Sequence, residues 1–250
     1  MASTLFLALA MNSFTVFAQS MLPSSSTEAE ALLNSGWWGN TSSADHCVWC
    51  KIPYTLGNLS QLVSLDLSYS NFDGILPHTL GNLRKLVSLD LSNNFLQGSL
   101  PLALGNLRKL VSLDLSYNYL QGSLPLTLGN LTQLVSLDLS VNLLEGCLPF
   151  TLGDLTQLKY FRMPWNNIIG CIPSELGNLK KLVVLEMINN NFSCPIPSSM
   201  GHMTNLSHFL LQFNNLYGSI PQELGNLKNL VVMNLGLIDF VVPFPHLLVI

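Results

Sequence analysis

Charge is scarce in this chain. Lys, Arg, Asp and Glu make up 10% of its 250 residues, with 10 basic side chains against 14 acidic ones. A net charge of −4 argues against a nucleic-acid surface or a polybasic membrane-binding patch. No uninterrupted apolar run is long enough for a membrane helix, because Asp239, Pro243 and Pro245 break the C-terminal stretch; no direct membrane span is expected. Cysteine and histidine number five each, and no histidine stands at ligand spacing from a cysteine pair, so neither a metal site nor a cofactor is expected.

Hydrophobic residues supply 48% of the chain, which excludes a disordered polypeptide. Leucine alone accounts for roughly a fifth of the residues, far above ordinary usage, and that excess points to a repetitive core. At the N-terminus, residues 5–11 and 14–18 form a short apolar stretch ending at Val16-Phe17-Ala18. This is read as a signal peptide over residues 1–20, although its only positive charge is the Met1 amine.

One period organises the remainder. Prolines at 53, 77, 101, 125, 149, 173, 197 and 221 recur with a constant step of 24. Within each unit the pattern L-x-x-L-x-L-x-x-N returns, as in Leu110, Leu113, Leu115 and Asn118, and its alternating L-x-L suits a short strand with one buried face. This is the leucine-rich-repeat signature. A single unit cannot bury its leucines, so neighbours must stack, giving an α/β-type solenoid of about eight coils over residues 53–236 with a parallel sheet along one face. Residues 237–250 read as an irregular apolar tail. The asparagines at 94, 118, 142, 166, 190 and 214 fall where the chain leaves the strand, and a buried amide there must be satisfied, most simply by backbone of the adjacent coil.

Written out as Leu120-Gln121-Gly122-Ser123-Leu124-Pro125-Leu126-Thr127-Leu128-Gly129-Asn130-Leu131, the unit resembles the 24-residue repeat of plant leucine-rich-repeat receptor ectodomains. Upstream, Glu28-Ala29-Glu30-Ala31-Leu32-Leu33, Trp37-Trp38 and His46-Cys47-Val48-Trp49 are similar to the N-terminal cap of that family, so residues 21–52 are read as an abbreviated cap. The resemblance implies a right-handed horseshoe at the cell surface whose inner face binds peptides, other receptors or wall-derived molecules, without catalysis. The cap departs from the family pattern: Cys50 follows Trp49 at once, and a Cys47–Cys50 bond would close a very small loop. The eighth unit lacks the N-x-L-x-G segment, and neither a second cysteine cap nor kinase signatures follow.

An odd cysteine count in a secreted chain leaves one thiol unpaired or intermolecular. Cys147 and Cys171 are one period apart and are the candidate disulfide. Among the N-glycosylation sequons, Asn58 and Asn130 in the G-N-L segment are the leading candidates, followed by Asn40.

Function is expected on the inner strand face, where the residues flanking the strand leucines point outward. In the first four coils these columns repeat Ser, Asp and Ser. The aspartates at 66, 90, 114 and 138 lie at the spacing of a retaining glycosidase pair, but fourfold repetition on a shallow open surface explains that spacing without chemistry, and no enzyme activity is expected. From the fifth coil the columns change character to Tyr160, Arg162, Trp165, Glu186, Asn189, His208, Gln212 and Phe213, the composition of an interaction hot spot. The reading is a secreted recognition module, located in the apoplast or held at the cell surface by a partner, for a secreted peptide or extracellular protein. A membrane receptor kinase is a candidate partner. Alternatives are an inhibitor of a cell-wall hydrolase, similar to polygalacturonase-inhibiting proteins, and a truncated receptor fragment with no independent function.

Overall fold

The computed structural model describes residues 51–236 and the backbone of residues 239–240. The expected signal peptide, almost all of the expected cap, the candidate glycan site Asn40 and nearly all of the tail lie outside the described residues.

Each coil begins at its proline, whose φ lies between −61° and −73° and whose carbonyl accepts the first turn hydrogen bond, as in Leu56 N–H to Pro53 O at 3.1 Å. A five-residue 3-10 helix follows, for example Leu102–Asn106 or Leu126–Asn130. Its middle and its C-cap are tied down by leucines such as Leu104 and Leu107, both wholly buried. The chain then enters a three-residue strand whose central side chain points inward. Eight such strands, from Ser64–Asp66 to Val232–Asn234, form one parallel sheet in coil order. Pairing is in strict column register, with Ser64 opposite Ser88, Leu65 opposite Leu89 and Asp66 opposite Asp90.

The leucines of all coils merge into one core running the length of the solenoid. In the fifth to seventh coils Phe161, Met163, Met187, Met200, Met203 and Phe209 take over leucine positions and are equally buried, so the core changes composition without opening. The asparagine column behaves as expected. The Asn118 amide donates to Leu91 O in the preceding coil at 3.0 Å and to Leu115 O and Ser116 O in its own coil, while its Oδ1 accepts Leu96 N–H at 3.0 Å. The first coil has Ser70 in this column, and its hydroxyl donates to Ser68 O.

Beyond the asparagine the sequence suggests only a bend, yet the structure forms a second parallel sheet there. It has six strands, from Asp73–Ile75 to Asn191–Phe192. Its register differs from the first: Asp73 pairs with Phe95 and Ile169 with Asn191, a step of 22 rather than 24.

That stagger overturns the expected Cys147–Cys171 disulfide. Residues in the same column are two positions out of step along this sheet, about 8 Å apart, which exceeds the roughly 7 Å Cα separation a disulfide can bridge. The residue paired with Cys147 is instead Ile169, and a Cβ added at the next residue, Gly170, would lie 2.7 Å from the Cys147 sulfur. One coil later the glycine position is occupied by Cys194, with φ +83°. Its side chain meets Cys171, and the structure joins Cys171 to Cys194 with Cα atoms 5.2 Å apart. Cys147 is a free, exposed thiol.

Candidate functional site

The inner sheet presents two different surfaces. Over the first four coils the carboxylates of Asp66, Asp90, Asp114 and Asp138 stand in register. Each Oδ1 accepts the backbone N–H of the serine two residues on, at 2.9–3.0 Å, and the Ser68, Ser116 and Ser140 hydroxyls donate to the same oxygens. At Asp90 burial pushes the carboxyl above its ordinary pKa. Hydrogen bonds from the Ser92 backbone and side chain pull it back, and the neighbouring Asp114 and Asp66 charges raise it further.

At the fifth coil Arg162 enters the aspartate column, opposite Asp138 on one side and Glu186 on the other. Its Nε lies 3.7 Å from Glu186 Oε2, and its guanidinium carbon sits 5.4 Å from the Tyr160 ring centroid. With both side chains partly in water, this ion pair is worth under about 1 kcal/mol; it orients the guanidinium more than it stabilises the fold. The neighbouring ladder runs Tyr160, Val184, His208. The Ser207 hydroxyl donates to Val183 O, so its oxygen accepts from His208 Nδ1 at 2.8 Å, which assigns a proton to Nδ1. Gln212 Oε1 is enclosed without a hydrogen-bond partner among the described residues.

All eight residues expected in the patch therefore fall on three adjacent coils. Trp165, Asn189 and Phe213 form its outer column, with Trp165 58% and Phe213 52% exposed. Between this column and the Arg162–Glu186 pair lies an open depression of about 420 Å³, lined by Tyr117, Asp138, Ser140, Val141, Arg162, Pro164, Trp165 and Glu186. Four of these residues belong to the third and fourth coils, whose surface the sequence reading took as unspecialised.

The outer column runs farther than the sequence reading recognised. Tyr69, Asn93, Tyr117, Val141, Trp165, Asn189 and Phe213 all occupy the left-handed region, with φ between 52° and 59°. Non-glycine residues hold that conformation here because their N–H groups are bonded to the next coil, as in Tyr117 N–H to Ser140 O at 2.8 Å and Trp165 N–H to Ile188 O at 2.9 Å. Tyr69 and Tyr117 are 75% and 55% exposed. They are the exposed aromatic residues of this column that sequence reasoning missed, and their shared place one residue before the repeat asparagine (Ser70 in the first coil) is the signal that could have found them.

Asn58 and Asn130 are exposed at the ends of the first and fourth 3-10 helices. Expression of the chain through a plant secretory pathway is expected to place one glycan on each, so that Asn58→Gln and Asn130→Gln each lower the intact mass by one glycan. An unchanged mass in either variant would remove that position.

Among the described residues no helix is long and apolar enough to cross a membrane. The leucine-rich-repeat family model matches residues 60–120. Comparison with curated proteins gives no match. Among solved structures, the ectodomain of the Arabidopsis thaliana receptor kinase GASSHO1/SCHENGEN3, in complex with CASPARIAN STRIP INTEGRITY FACTOR 2, is 40% identical with a TM-score of 0.74, over 76% of this chain and 23% of that one. A TDR receptor is 34% identical with a TM-score of 0.75, over 76% and 33%. The Arabidopsis receptor kinase HAESA, with the peptide hormone IDA and the co-receptor SERK1, is 28% identical with a TM-score of 0.68, over 81% and 40%. The chain thus spans between 23% and 40% of the length of these receptors. The staggered sheets, the asparagine ladder and these likenesses agree: the chain carries leucine-rich repeats, folds as a leucine-rich-repeat solenoid and is similar to the ectodomains of plant receptor kinases.

Proposed function

We propose that the chain is a non-enzymatic, receptor-like recognition module that works outside the cell and captures a peptide or protein on its inner face. The observation that carries this reading is the depression between Trp165 and the Arg162–Glu186 pair, where large exposed rings and an oriented guanidinium converge on a backbone locked by hydrogen bonds to both neighbouring coils. A surface of this kind gains contact area with no loop to order on binding. The similar ectodomains in complex with a peptide hormone or integrity factor support the same class of ligand.

The test is capture of secreted proteins and peptides by the full chain carrying a photo-crosslinker at Asn189. The Trp165→Ala/Phe213→Ala double variant is expected to lose the crosslinked product while melting at the same temperature, since both rings are more than half exposed. Equal capture by the double variant would overturn the assignment.

A further inference from the structure

The four aromatic residues of the outer column are not scattered. Tyr69, Tyr117, Trp165 and Phe213 fall two coils apart, and the smaller side chains of Asn93, Val141 and Asn189 stand between them. The rim is therefore a row of rings separated by slots. At the strand spacing of a parallel sheet, rings two coils apart stand about 9.6 Å from one another.

We propose that this rim holds a basic, proline-rich segment of a partner polypeptide in the polyproline II conformation, laid along the solenoid with every third residue on a ring. The proposal rests on the reading that the inner face is the recognition surface and adds the class of partner. Three observations carry it. The first is dimensional. Polyproline II rises about 9.3 Å per three-residue turn, so four rings fit one face of such a segment with an accumulated error of about 1 Å. An α-helix presents the same face every seven residues, about 10.5 Å, and drifts by about 3 Å over the same row. A β-strand alternates its faces and cannot place every third residue on one side.

The second observation is the state of the backbone. Ring-column N–H groups are bonded to the following coil, and carbonyls of the same column accept from the preceding one, as in Asn94 N–H to Tyr117 O and Asn142 N–H to Trp165 O. With these groups engaged, strand addition along the rim has nothing to pair with. A ligand whose own backbone needs no partner, and which binds through stacking on aromatic faces, matches that condition.

Charge is the third. Beside the rings lie the carboxylates of Asp66, Asp90, Asp114 and Asp138, and Arg162 in the same column is paired with Glu186. Their single oxygens facing serine are occupied, so the second oxygen of each carboxylate is left for a cation. A polyproline II helix has three faces; one carries prolines to the rings and the next can carry Lys or Arg to this ladder.

The test is fluorescence anisotropy with the full chain and fluorescein-labelled (Pro-Pro-Lys)4, compared with (Gly-Gly-Lys)4 and (Pro-Pro-Glu)4. The first peptide is expected to bind at least tenfold more tightly than either of the others, with binding weakened by added salt. Tyr69→Ala and Tyr117→Ala are each expected to weaken it roughly tenfold, and their unchanged melting temperatures report that folding is intact. Equal affinity for the proline and glycine peptides, an unchanged affinity in Tyr117→Ala, or no binding of (Pro-Pro-Lys)4 would overturn the proposal. So would binding of a β-1,4-glucan oligosaccharide in place of the peptide, which would assign the rings to sugar stacking. Because Tyr69 and Tyr117 lie outside the Tyr160–Phe213 patch, the two readings fail separately. Loss of these effects with crosslinking at Asn189 intact leaves the recognition face standing and removes only the polyproline ligand.

Discussion

Gly105→Ala is expected to destabilise the protein by about 3 kcal/mol and to lower its melting temperature by about 10 °C. Gly105 lies in a 3-10 helix of the third coil, where a Cβ would stand 2.4 Å from the carbonyl oxygen of Thr127 and 2.7 Å from its Cβ. The atoms in the way belong to the backbone of the next coil, so no rotamer change relieves the contact and the two coils must separate. Separation there weakens the stacking on which every neighbouring coil depends, because each unit of a solenoid buries its apolar face only against the next. Gly225 is the matched control. It occupies the same column in the eighth coil, and a Cβ there meets nothing within 4 Å among the described residues. Gly225→Ala is expected to stay within about 0.5 kcal/mol of the parent. Thermal melts followed by circular dichroism check both. Equal effects at the two positions would show that inter-coil clearance is not why glycine stands there.

Asn118→Ala is expected to cost about 4 kcal/mol. Its side chain supplies donors to three carbonyls and an acceptor to Leu96 N–H, all buried in the middle of the stack. Alanine leaves these groups without partners where water does not reach, and each orphaned group costs about 1–3 kcal/mol, offset in part by relaxation. Asn118→Asp separates shape from bonding. It is nearly the same size, but an ionised carboxylate has no donor for the Leu91, Leu115 and Ser116 carbonyls. At neutral pH it is expected to be at least as damaging as alanine. Urea unfolding of the two variants checks this; a stable aspartate variant would mean that volume, not hydrogen bonding, accounts for asparagine in the ladder.

Legibility followed repetition. The leucines of L-x-x-L-x-L could be assigned to the core because their spacing permits only one buried face, and Leu110, Leu113 and Leu115 are wholly buried. The asparagine column could be read because a buried amide has few ways to be satisfied. The second sheet could not. Its strands are two to five residues long, and most contain a glycine at positive φ, so they lack the alternation that marks a strand. They exist because an identical segment lies alongside, and no single segment carries that information.

The same limit explains the site. Tyr160 and Arg162 stood out because they break the Ser-Asp-Ser columns, and they drew attention to Trp165 and Phe213 in the column just beyond. Tyr69 and Tyr117 were passed over because the first four coils looked uniform in the strand positions, while the variation lay in the left-handed residue beyond them.

The 24-residue period, by itself, established a stacked solenoid with a parallel inner sheet, because leucines at that spacing can be buried only by a neighbour carrying the same spacing. It also set which residue types face inward. Which residues of adjacent coils touch outside the inner sheet is a different quantity, the stagger between coils, and that arises from how the coils lean on one another when packed. A step of 24 on one face and 22 on the other brings Cys194 rather than Cys147 to Cys171, and the bonding between coils holds an aromatic residue in the left-handed turn of every second coil.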